Sequence, residues 1–413
     1  MTGPALLTVA QAVALVLARS QALAPRLVPL ADALGLILAE TVVADVDLPP
    51  FTKALMDGYA VRASDLTEAG EHPLRVVDEI SAGRTSTRSI EPGEAARIMT
   101  GAPLPSGSDA VVNVERTRPD PADPTLVWIT TTGPIAPGMH RLDRGREMRR
   151  GEVLLEPGMM IRPGTVGLIA SAGRGSVEAT PRPSVAVVPT GDELVPAEQV
   201  PGLGQIRNTN GPILGALARG WGASVVVEHP SIPDDPDRLI EMFRRELGES
   251  DVLLISGGVS VGIKDHVPSA LLAAGAEPVF HKVAVKPGKP IWFGVGPPRS
   301  DGRPGTLVFG LPGNPASALV GFLLFVRPAL DALSGRGSNP IPVEVAKLGA
   351  SFEHRGDRPT YHPVRVEGDR VFPLDWAGSA DLRTVALADG FAAFAPGDHD
   401  HRAGDPVKWL RFP

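Results

Sequence analysis

The alternation of short apolar runs with helical segments between residues 184 and 330 constrains the fold of this chain most strongly. Three β-branched runs at 185–188, 224–227 and 252–255 are separated by segments with helical spacing of apolar residues. The same patterns predict strands at 279–283, 291–295 and 307–309, and helices at 212–219, 235–247, 267–274 and 316–326. Such an alternation predicts an α/β domain built on a parallel, doubly wound sheet.

The flanking regions have a different pattern. Before the α/β domain, two helical stretches at 8–24 and 30–39 lead into short strands and turns, which predicts mixed α+β structure with an inserted β subdomain. After it, short strands predict a small β-barrel or sandwich. The predicted domains are an N-terminal elongated domain at 1–48 and 140–180, an inserted β-rich subdomain at 49–139, the α/β domain at 181–330, and a C-terminal β-barrel at 331–413.

Composition excludes several classes of protein. The 413 residues include 46 Gly and 43 Pro, but 43% hydrophobic residues indicate a globular rather than a disordered chain. The absence of Cys excludes disulfides, thiolate metal sites and cysteine nucleophiles. A net charge of −7 and 5% aromatic residues argue against nucleic acid or an anionic membrane as the main partner.

Two apolar segments resemble a signal peptide or a membrane-spanning helix, but other features of each argue against that interpretation. The N-terminal run from 5 to 24 lacks a basic leader and is interrupted by Arg19, and Thr8 with Gln11 predicts a helix-capping box. The run at 318–326 is bounded by Pro315 and Pro328 and is far shorter than the ~20 residues that span a bilayer. We expect both to be core helices of a cytoplasmic protein.

Gly-rich and polar loops follow the predicted strands of the α/β domain. Ligands of open α/β sheets bind beyond the carboxyl ends of the strands, so these loops should meet at one edge of the sheet. The loops are 190–193 (TGDE), 256–262 (SGGVSVG), 286–290 (KPGKP) and 311–315 (LPGNP).

The loop at 256–262 could bind an oxyanion through its backbone N–H groups. It does not match a Walker loop or a dinucleotide-binding loop, because no Gly-Lys-Ser/Thr and no Gly-x-Gly-x-x-Gly occurs there. Its candidate binding residues are Ser256, Gly257, Gly258 and Ser260. A Gly-Gly pair taken alone is more often an ordinary turn.

Two lysines in a proline-stiffened loop form a second candidate anion site. Lys286 and Lys289 could hold a multiply charged anion, and Lys282 at the end of the preceding strand could join them. The competing interpretation is an exposed basic turn.

Three carboxylates, those of Glu193, Asp234 and Asp265, would lie beside that cationic loop. Carboxylates near a phosphate site commonly hold a divalent hard cation, with Mg²⁺ the default. For Asp234 alone, N-capping of the following helix is the favoured interpretation.

Other polar tracts are ambiguous or uninformative. The segment 398–401 (DHDH) offers only two imidazoles and is interpreted as a solvated loop. The arginines between 144 and 150 could bind phosphate or simply cover a surface.

Together these segments resemble the molybdopterin molybdenumtransferases, the MoeA/gephyrin E-domain family. The resemblance covers essentially the whole chain and also rests on motifs before the α/β domain. The matching motifs, in chain order, are 56–61 (MDGYAV), 98–105 (IMTGAPLP), 109–112 (DAVV) with Glu115, 190–194 (TGDEL), 204–206 (GQI), and the three loops 256–262, 286–290 and 311–315.

The resemblance implies an elongated homodimer of four-domain subunits with a molybdopterin-binding-like α/β domain. It implies insertion of molybdate into adenylated molybdopterin, with release of AMP. Catalytic roles are implied for Asp57, Thr100, Glu193, Asp234 and Asp265, the last three as Mg²⁺ ligands. Substrate binding is implied for Ser256, Gly257, Gly258, Ser260, Lys282, Lys286, Lys289, Pro312, Pro315 and Ser379.

The resemblance also implies partners and leaves alternatives open. A molybdopterin adenylyltransferase and apo-molybdoenzymes would be the partners. The chain departs from the family pattern at Glu147, Asn208 and His266, where Asp, Asp and an aromatic residue are usual. A non-catalytic molybdopterin-binding or scaffold paralogue is the main alternative. An adenylyltransferase would share the α/β fold but would not need the surrounding domains.

Overall fold

The computed structural model describes residues 6–259, 266–300, 302–337 and 343–413. The chain forms two compact units. The first comprises Met1–Val28, Gly35–Ala39 and Glu178–Pro413, and the second comprises Pro29–Leu34 and Glu40–Val177.

The first unit contains a six-stranded sheet with helices on its faces, as the sequence predicts. Its strands, in spatial order, are Val225–Glu228, Ser184–Pro189, Val252–Ser256, Leu307–Leu311, Trp292–Val295 and Glu277–His281. The three central runs Val185–Val188, Val252–Ser256 and Leu307–Leu311 are fully buried, which explains why they read as continuous apolar segments.

The expectation of an all-parallel sheet is wrong for one strand, Trp292–Val295. The first four strands are parallel, but Trp292–Val295 runs antiparallel to both of its neighbours. The chain between Glu277–His281 and Trp292–Val295 is only about ten residues long and contains no helix, whereas a parallel crossover needs a dozen or more residues. The carboxyl end of Glu277–His281 still lies at the same edge as those of the parallel strands.

Helices connect most strands of this sheet. They are Asn210–Gly220, Pro236–Glu249 and Val267–Ala273, and a fourth helix, Pro315–Gly321, follows the strand Leu307–Leu311. Asp235 rather than Asp234 caps Pro236–Glu249, because its carboxylate accepts the Arg238 N–H at 3.0 Å. The capping interpretation of Asp234 is therefore wrong, and this carboxylate is not committed to the helix end.

The apolar helix after Pro315 is longer than predicted. Pro328 does not end it, because the turn Phe322–Val326 widens to π geometry and leads into Arg327–Leu333. In the widened turn the Arg327 N–H donates to the Phe322 carbonyl, five residues back. By length and composition Pro315–Leu333 could cross a membrane, but 89% of its apolar window is buried inside the protein.

The N-terminal helix Val9–Leu17 begins with the predicted capping box. The Gln11 N–H donates to Thr8 Oγ1 at 3.2 Å, and the Thr8 N–H donates to Gln11 Oε1 at 2.9 Å. The predicted extent of 8–24 is too long, since the helix ends at Leu17 with Ala18 as its C-cap.

The predicted helix at 30–39 is wrong. Leu30–Asp32 forms one 3₁₀ turn, and Ile37–Leu38 is a strand paired with Ser176–Thr180. Gly35 separates them with φ +78°, a conformation that ends helical geometry.

The second unit is mainly short strands and turns, as predicted. Its six-stranded sheet runs, in spatial order, Ala110–Asn113, Gly58–Val61, Glu94–Ile98, Gly70–Ile80, Leu126–Thr131 and Thr117–Pro119. Both faces of the sheet bury apolar clusters, one around Val112 and Ile129 and the other around Ile80 and Ile98. The Pro-Gly pair at 163–164 is typical of a turn, but Pro163–Ser171 is a helix with Pro at its first position.

The C-terminal region is a closed five-stranded barrel. Its strands, in spatial order, are Glu344–Leu348, Arg370–Pro373, Thr360–Glu367, Gly390–Phe394 and Pro406–Arg411. A separate ribbon pairs Phe352–His354 with His399–His401, so the interpretation of 398–401 as a loop is wrong.

The remaining elements are short. They are the strands Arg26–Pro29, Val42–Val43, Lys53–Ala54, Arg141–Leu142, Val153–Leu155, Leu194–Val195 and Ile206–Arg207, the 3₁₀ turns Ala63–Asp65 and Val114–Arg116, and the helix Leu382–Ala386.

Candidate functional site

The loops at the carboxyl edge of the α/β sheet enclose a small polar cavity of 180 Å³. Three predicted site residues, Glu193, Ser256 and Gly257, line it together. Other lining residues are Thr190, Leu194, Ile206, Arg207, Asn208, Thr209, Asn210, Gly313 and Asn314.

Asn210 ties the loops around this cavity together. Its buried Nδ2 donates to Ser256 Oγ at 2.6 Å and to the Gly313 carbonyl at 2.7 Å. Its Oδ1 is buried and meets no hydrogen-bond donor among the described residues. Asn210 was not among the predicted site residues, and its position between a loop and a helix start is a signal that could have indicated it.

Gly257 and Gly258 allow two chain segments to approach each other closely. Gly257 has φ +98°, and a Cβ on it would lie 2.4 Å from the Thr190 carbonyl oxygen. Gly258 has φ +61°, and a Cβ there would lie 2.6 Å from Val267 Cγ2. The Gly-Gly pair is therefore required by packing at the cavity wall.

Three carboxylates, those of Asp192, Glu193 and Asp234, gather beside the small cavity. The Asp234 N–H donates to Asp192 Oδ1 at 3.0 Å, and the buried Asp234 Oδ1 meets no donor in the described part of the chain. Burial raises the pKa of Asp234 above its ordinary value, and the negative charges of Asp192 and Glu193 raise it further. The positive charge of His266 opposes these effects, but the pKa of Asp234 is still raised.

Two predicted residues cannot be placed in this geometry. Ser260 and Asp265 lie outside the described residues. Within the described ranges, no group of three or more His, Asp or Glu side chains is arranged to hold a metal ion.

A second cavity of 630 Å³ adjoins the first, since Asn314 lines both. It lies between the loops at the carboxyl edge of the α/β sheet (the rim loops) and the ribbon and barrel of the C-terminal region. Four predicted residues line it, namely Lys286, Lys289, Pro312 and Ser379. Its other lining residues are Pro287, Gly288, Pro290, Asn314, Ser317, Phe352, Glu353, His354, Arg355, Arg358, Thr360, His362, Trp376, Ala377 and Gly378.

The larger cavity is cationic. No acidic group among the described residues lies within salt-bridge distance of Lys286 or Lys289. Arg358, which was not predicted from the sequence, donates from Nη1 to the Val285 carbonyl at 3.2 Å. Among the described residues its salt-bridge partner is the exposed Asp357 at 3.5 Å. Unpaired cations beside hydroxyl and amide groups favour an anionic ligand.

Three residues predicted to bind substrate, Gly258, Lys282 and Pro315, line neither cavity. Lys282 has φ +79°, and its N–H donates to the Ile291 carbonyl at 2.8 Å. Pro315 is the first residue of Pro315–Gly321, after the N-cap Asn314. Asn314 Nδ2 donates to Ser379 Oγ at 2.8 Å, which joins that helix start to the C-terminal region.

In the second unit, Asp57 and Thr100 are hydrogen-bonded although they lie 43 residues apart. The Thr100 N–H and hydroxyl donate to Asp57 Oδ1 at 2.7 and 2.6 Å. Both bonds lower the pKa of Asp57 and so favour its ionised form. In the same unit, Arg144 pairs with Asp47 at 2.7 Å, which favours a structural role for that arginine.

Comparison with known families accounts for nearly the whole chain. Residues 7–173 match the MoeA N-terminal region (domains I and II), 186–332 match a probable molybdopterin binding domain, and 345–412 match the MoeA C-terminal region (domain IV). The chain belongs to the MoeA family.

Full-length relatives of this MoeA-family chain agree with that assignment. It is 36% identical over 392 residues to a molybdopterin molybdenumtransferase of Staphylococcus epidermidis, covering 91% of this chain and 88% of the relative. It is 36% identical over 389 residues to one of Staphylococcus aureus, covering 92% and 89%. The molybdopterin biosynthesis MoeA protein of Pyrococcus horikoshii superposes with a TM-score of 0.81 at 30% identity, covering 99% of this chain and all of the other.

The three departures from the family pattern have local structural roles. Glu147 lies 3.6 Å from Lys53 Nζ, and Asn208 Oδ1 accepts the Gly211 N–H at 3.0 Å. His266 is the N-cap of Val267–Ala273, and its charge acts to lower the pKa of Asp234.

Proposed function

We propose that this MoeA-family protein is a transferase of molybdenum cofactor biosynthesis that inserts molybdate into adenylated molybdopterin and releases AMP. The observation that carries the proposal is the pair of adjoining cavities at one rim, one cationic and one polar with carboxylates beside it. The names of the 36%-identical relatives support the same reaction.

The cationic cavity is the proposed site for molybdate or the pyrophosphate of the substrate. Lys286 and Lys289 offer positive charge that has no ion-pair partner in the described part of the chain, and Ser379 and Arg358 offer further donors in the same cavity. Fixed donors placed around an oxyanion stabilise it without reorganisation during the reaction. The dithiolene sulfurs of the substrate supply the metal ligands, which fits a protein without Cys.

The carboxylate cluster is the proposed Mg²⁺ site. Its residues fit that ion, since the buried and unpartnered Asp234 Oδ1 is a hard oxygen donor in a locally negative environment. Mg²⁺ commonly takes only one or two protein carboxylates and completes its shell with water and substrate phosphate. Asp234 and Glu193, with Asp265, would hold it, and the bound ion would neutralise charge at the phosphoanhydride.

The proposal extends to assembly and location. A homodimer in the cytoplasm, receiving its substrate from a molybdopterin adenylyltransferase and delivering product to apo-molybdoenzymes, is the expected context. Light scattering on the purified protein tests the dimer, for which a mass near twice 43.2 kDa is expected.

The reaction is tested with purified protein, adenylated molybdopterin, molybdate and Mg²⁺. AMP release and reconstitution of an apo-molybdoenzyme are expected, and chelation of Mg²⁺ should stop both. Tight pterin binding without AMP release would refute the transferase and favour the binding or scaffold alternative.

Matched lysine variants test the anion site. Lys286→Gln and Lys289→Gln should each weaken molybdate binding by about tenfold or more, because each removes an unpaired charge from the cavity. Lys347→Gln is the control, since Lys347 pairs with Asp369 on the exposed surface of the barrel. Equal affinities in all three variants would remove the two cavity lysines from the site.

A further inference from the structure

His354 is a buried imidazole in the wall of the cationic cavity. It ends the strand Phe352–His354, is only 3% exposed, and lines the same cavity as Lys286 and Lys289. Its Nε2 is buried and has no hydrogen-bond partner among the described residues. Buried polar atoms are nearly always paired, so an unpaired one beside a cavity indicates that a ligand completes the pairing.

Among the described residues, no other histidine nearby both lines the cavity and has a buried ring nitrogen without a partner. His362 also lines the cavity, but its Nε2 already bonds to the Leu374 carbonyl at 2.8 Å. His399 is exposed and contacts the Pro396 carbonyl at 3.1 Å. His401 Nε2 is also buried without a partner among the described residues, but His401 packs against Phe394, with ring centres 5.0 Å apart, and does not line the cavity.

The charges around His354 keep it neutral when the cavity holds no anion. Burial lowers its pKa, and Lys286, His399 and His401 lower it further, while Asp398 opposes them. On its own strand Glu353 precedes it, and the following Arg355 donates to the His354 carbonyl at 3.0 Å. A neutral imidazole can still offer its Nε2 lone pair to a proton.

A dianion in the cavity would reverse this balance. It would neutralise the Lys286 charge that disfavours imidazolium and would add negative charge of its own. Nε2 would then gain a proton from solvent and an acceptor for it at the same time.

We propose that His354 is an anion-binding residue of this cavity and that a tetrahedral oxyanion binds together with one proton, taken up from solvent at His354 Nε2. The protonated Nε2 donates a hydrogen bond to the anion. The inference rests on the proposed function, since it concerns the same anion site. It adds to that site, besides the lysines, a histidine whose hydrogen bond to the anion depends on uptake of a proton.

Calorimetry of molybdate binding to the full-length protein tests the proposal. At neutral pH, titrations in two buffers with different ionisation enthalpies should show uptake of about half to one proton per molybdate. The dissociation constant should rise with pH by up to about tenfold per unit above neutrality. His354→Gln should abolish both effects, and the exposed control His399→Gln should keep them.

A wild-type measurement avoids dependence on the variant's folding. Imidazole nitrogen NMR signals of His354 should change from neutral to protonated when molybdate is added at neutral pH. Binding without proton uptake, or uptake that persists in a folded His354→Gln protein, overturns the inference and leaves the proposed function standing. No molybdate binding at all overturns both the inference and the proposed anion site.

Discussion

Gly257 offers a severe test of how the rim is built. Substituting Ala places a Cβ 2.4 Å from the Thr190 carbonyl oxygen, a backbone atom held by the hydrogen bond from the Thr190 N–H to the Ser256 carbonyl. The substitution also places a side chain at φ +98°. Gly313→Ala, on the neighbouring loop, is the matched control, because its Cβ would meet nothing closer than 3.8 Å.

The cost of Gly257→Ala can be worked from these two effects. A non-Gly residue at positive φ costs about 1–2 kcal/mol, and the overpacking costs a further ~1–3 kcal/mol. The reduced entropy of the unfolded chain offsets ~0.4–1 kcal/mol. A net loss of roughly 2–4 kcal/mol should lower the urea midpoint of the α/β domain by about 1 M.

The assay is urea unfolding followed by far-UV circular dichroism, with both variants and wild type run together. The Gly257→Ala midpoint should fall by about 1 M, and that of Gly313→Ala should stay close to wild type. Equal midpoints for the two variants would refute the argument that close backbone approach requires Gly257.

Three other variants test the electrostatics. Thr100→Val should raise the pKa of Asp57 toward its ordinary value, because the hydroxyl that donates to Asp57 Oδ1 is lost. Carboxyl NMR titration measures this pKa, and the control Thr100→Ser should behave as wild type. In the wild-type protein, ionisation of Asp234 destabilises the fold as the pH rises from the ordinary Asp pKa through the raised pKa of Asp234. Asp234→Asn should remove this destabilisation, so the variant should be more stable than wild type at neutral pH and similar below the ordinary Asp pKa. The same variant should lose at least about tenfold of Mg²⁺-dependent AMP release. Tyr361 should ionise at about pH 12 because it is buried, and Tyr361→Phe should remove that step from the phenolate absorbance.

Local sequence patterns predicted the elements of the α/β domain well. The buried runs at 185–188 and 252–255 and the amphipathic helix ending near 247 all occur close to their predicted positions. Strand direction was not predictable in the same way, because an apolar run looks alike in parallel and antiparallel pairing. The antiparallel pair at 277–295 could be inferred only from the missing helix between its strands.

Half of the larger cavity could not be predicted from the rim motifs. Arg358, His354 and Trp376 come from the C-terminal region, and nothing in their spacing connects them with Lys286. Contacts between segments some 70 residues apart depend on how the barrel packs beside the sheet. Asp192 was not predicted as a site residue for a different reason, since the adjacent Glu193 offers a carboxylate of the same kind.

Asn314 has a consequence for how two ligands would affect each other. One amide group lines both cavities and already donates from Nδ2 to Ser379 Oγ. If an occupant of one cavity recruits this amide, the donors and acceptors offered to the other cavity change as well. The two binding free energies are then not additive, and by thermodynamic linkage each ligand must alter the affinity of the other by the same factor.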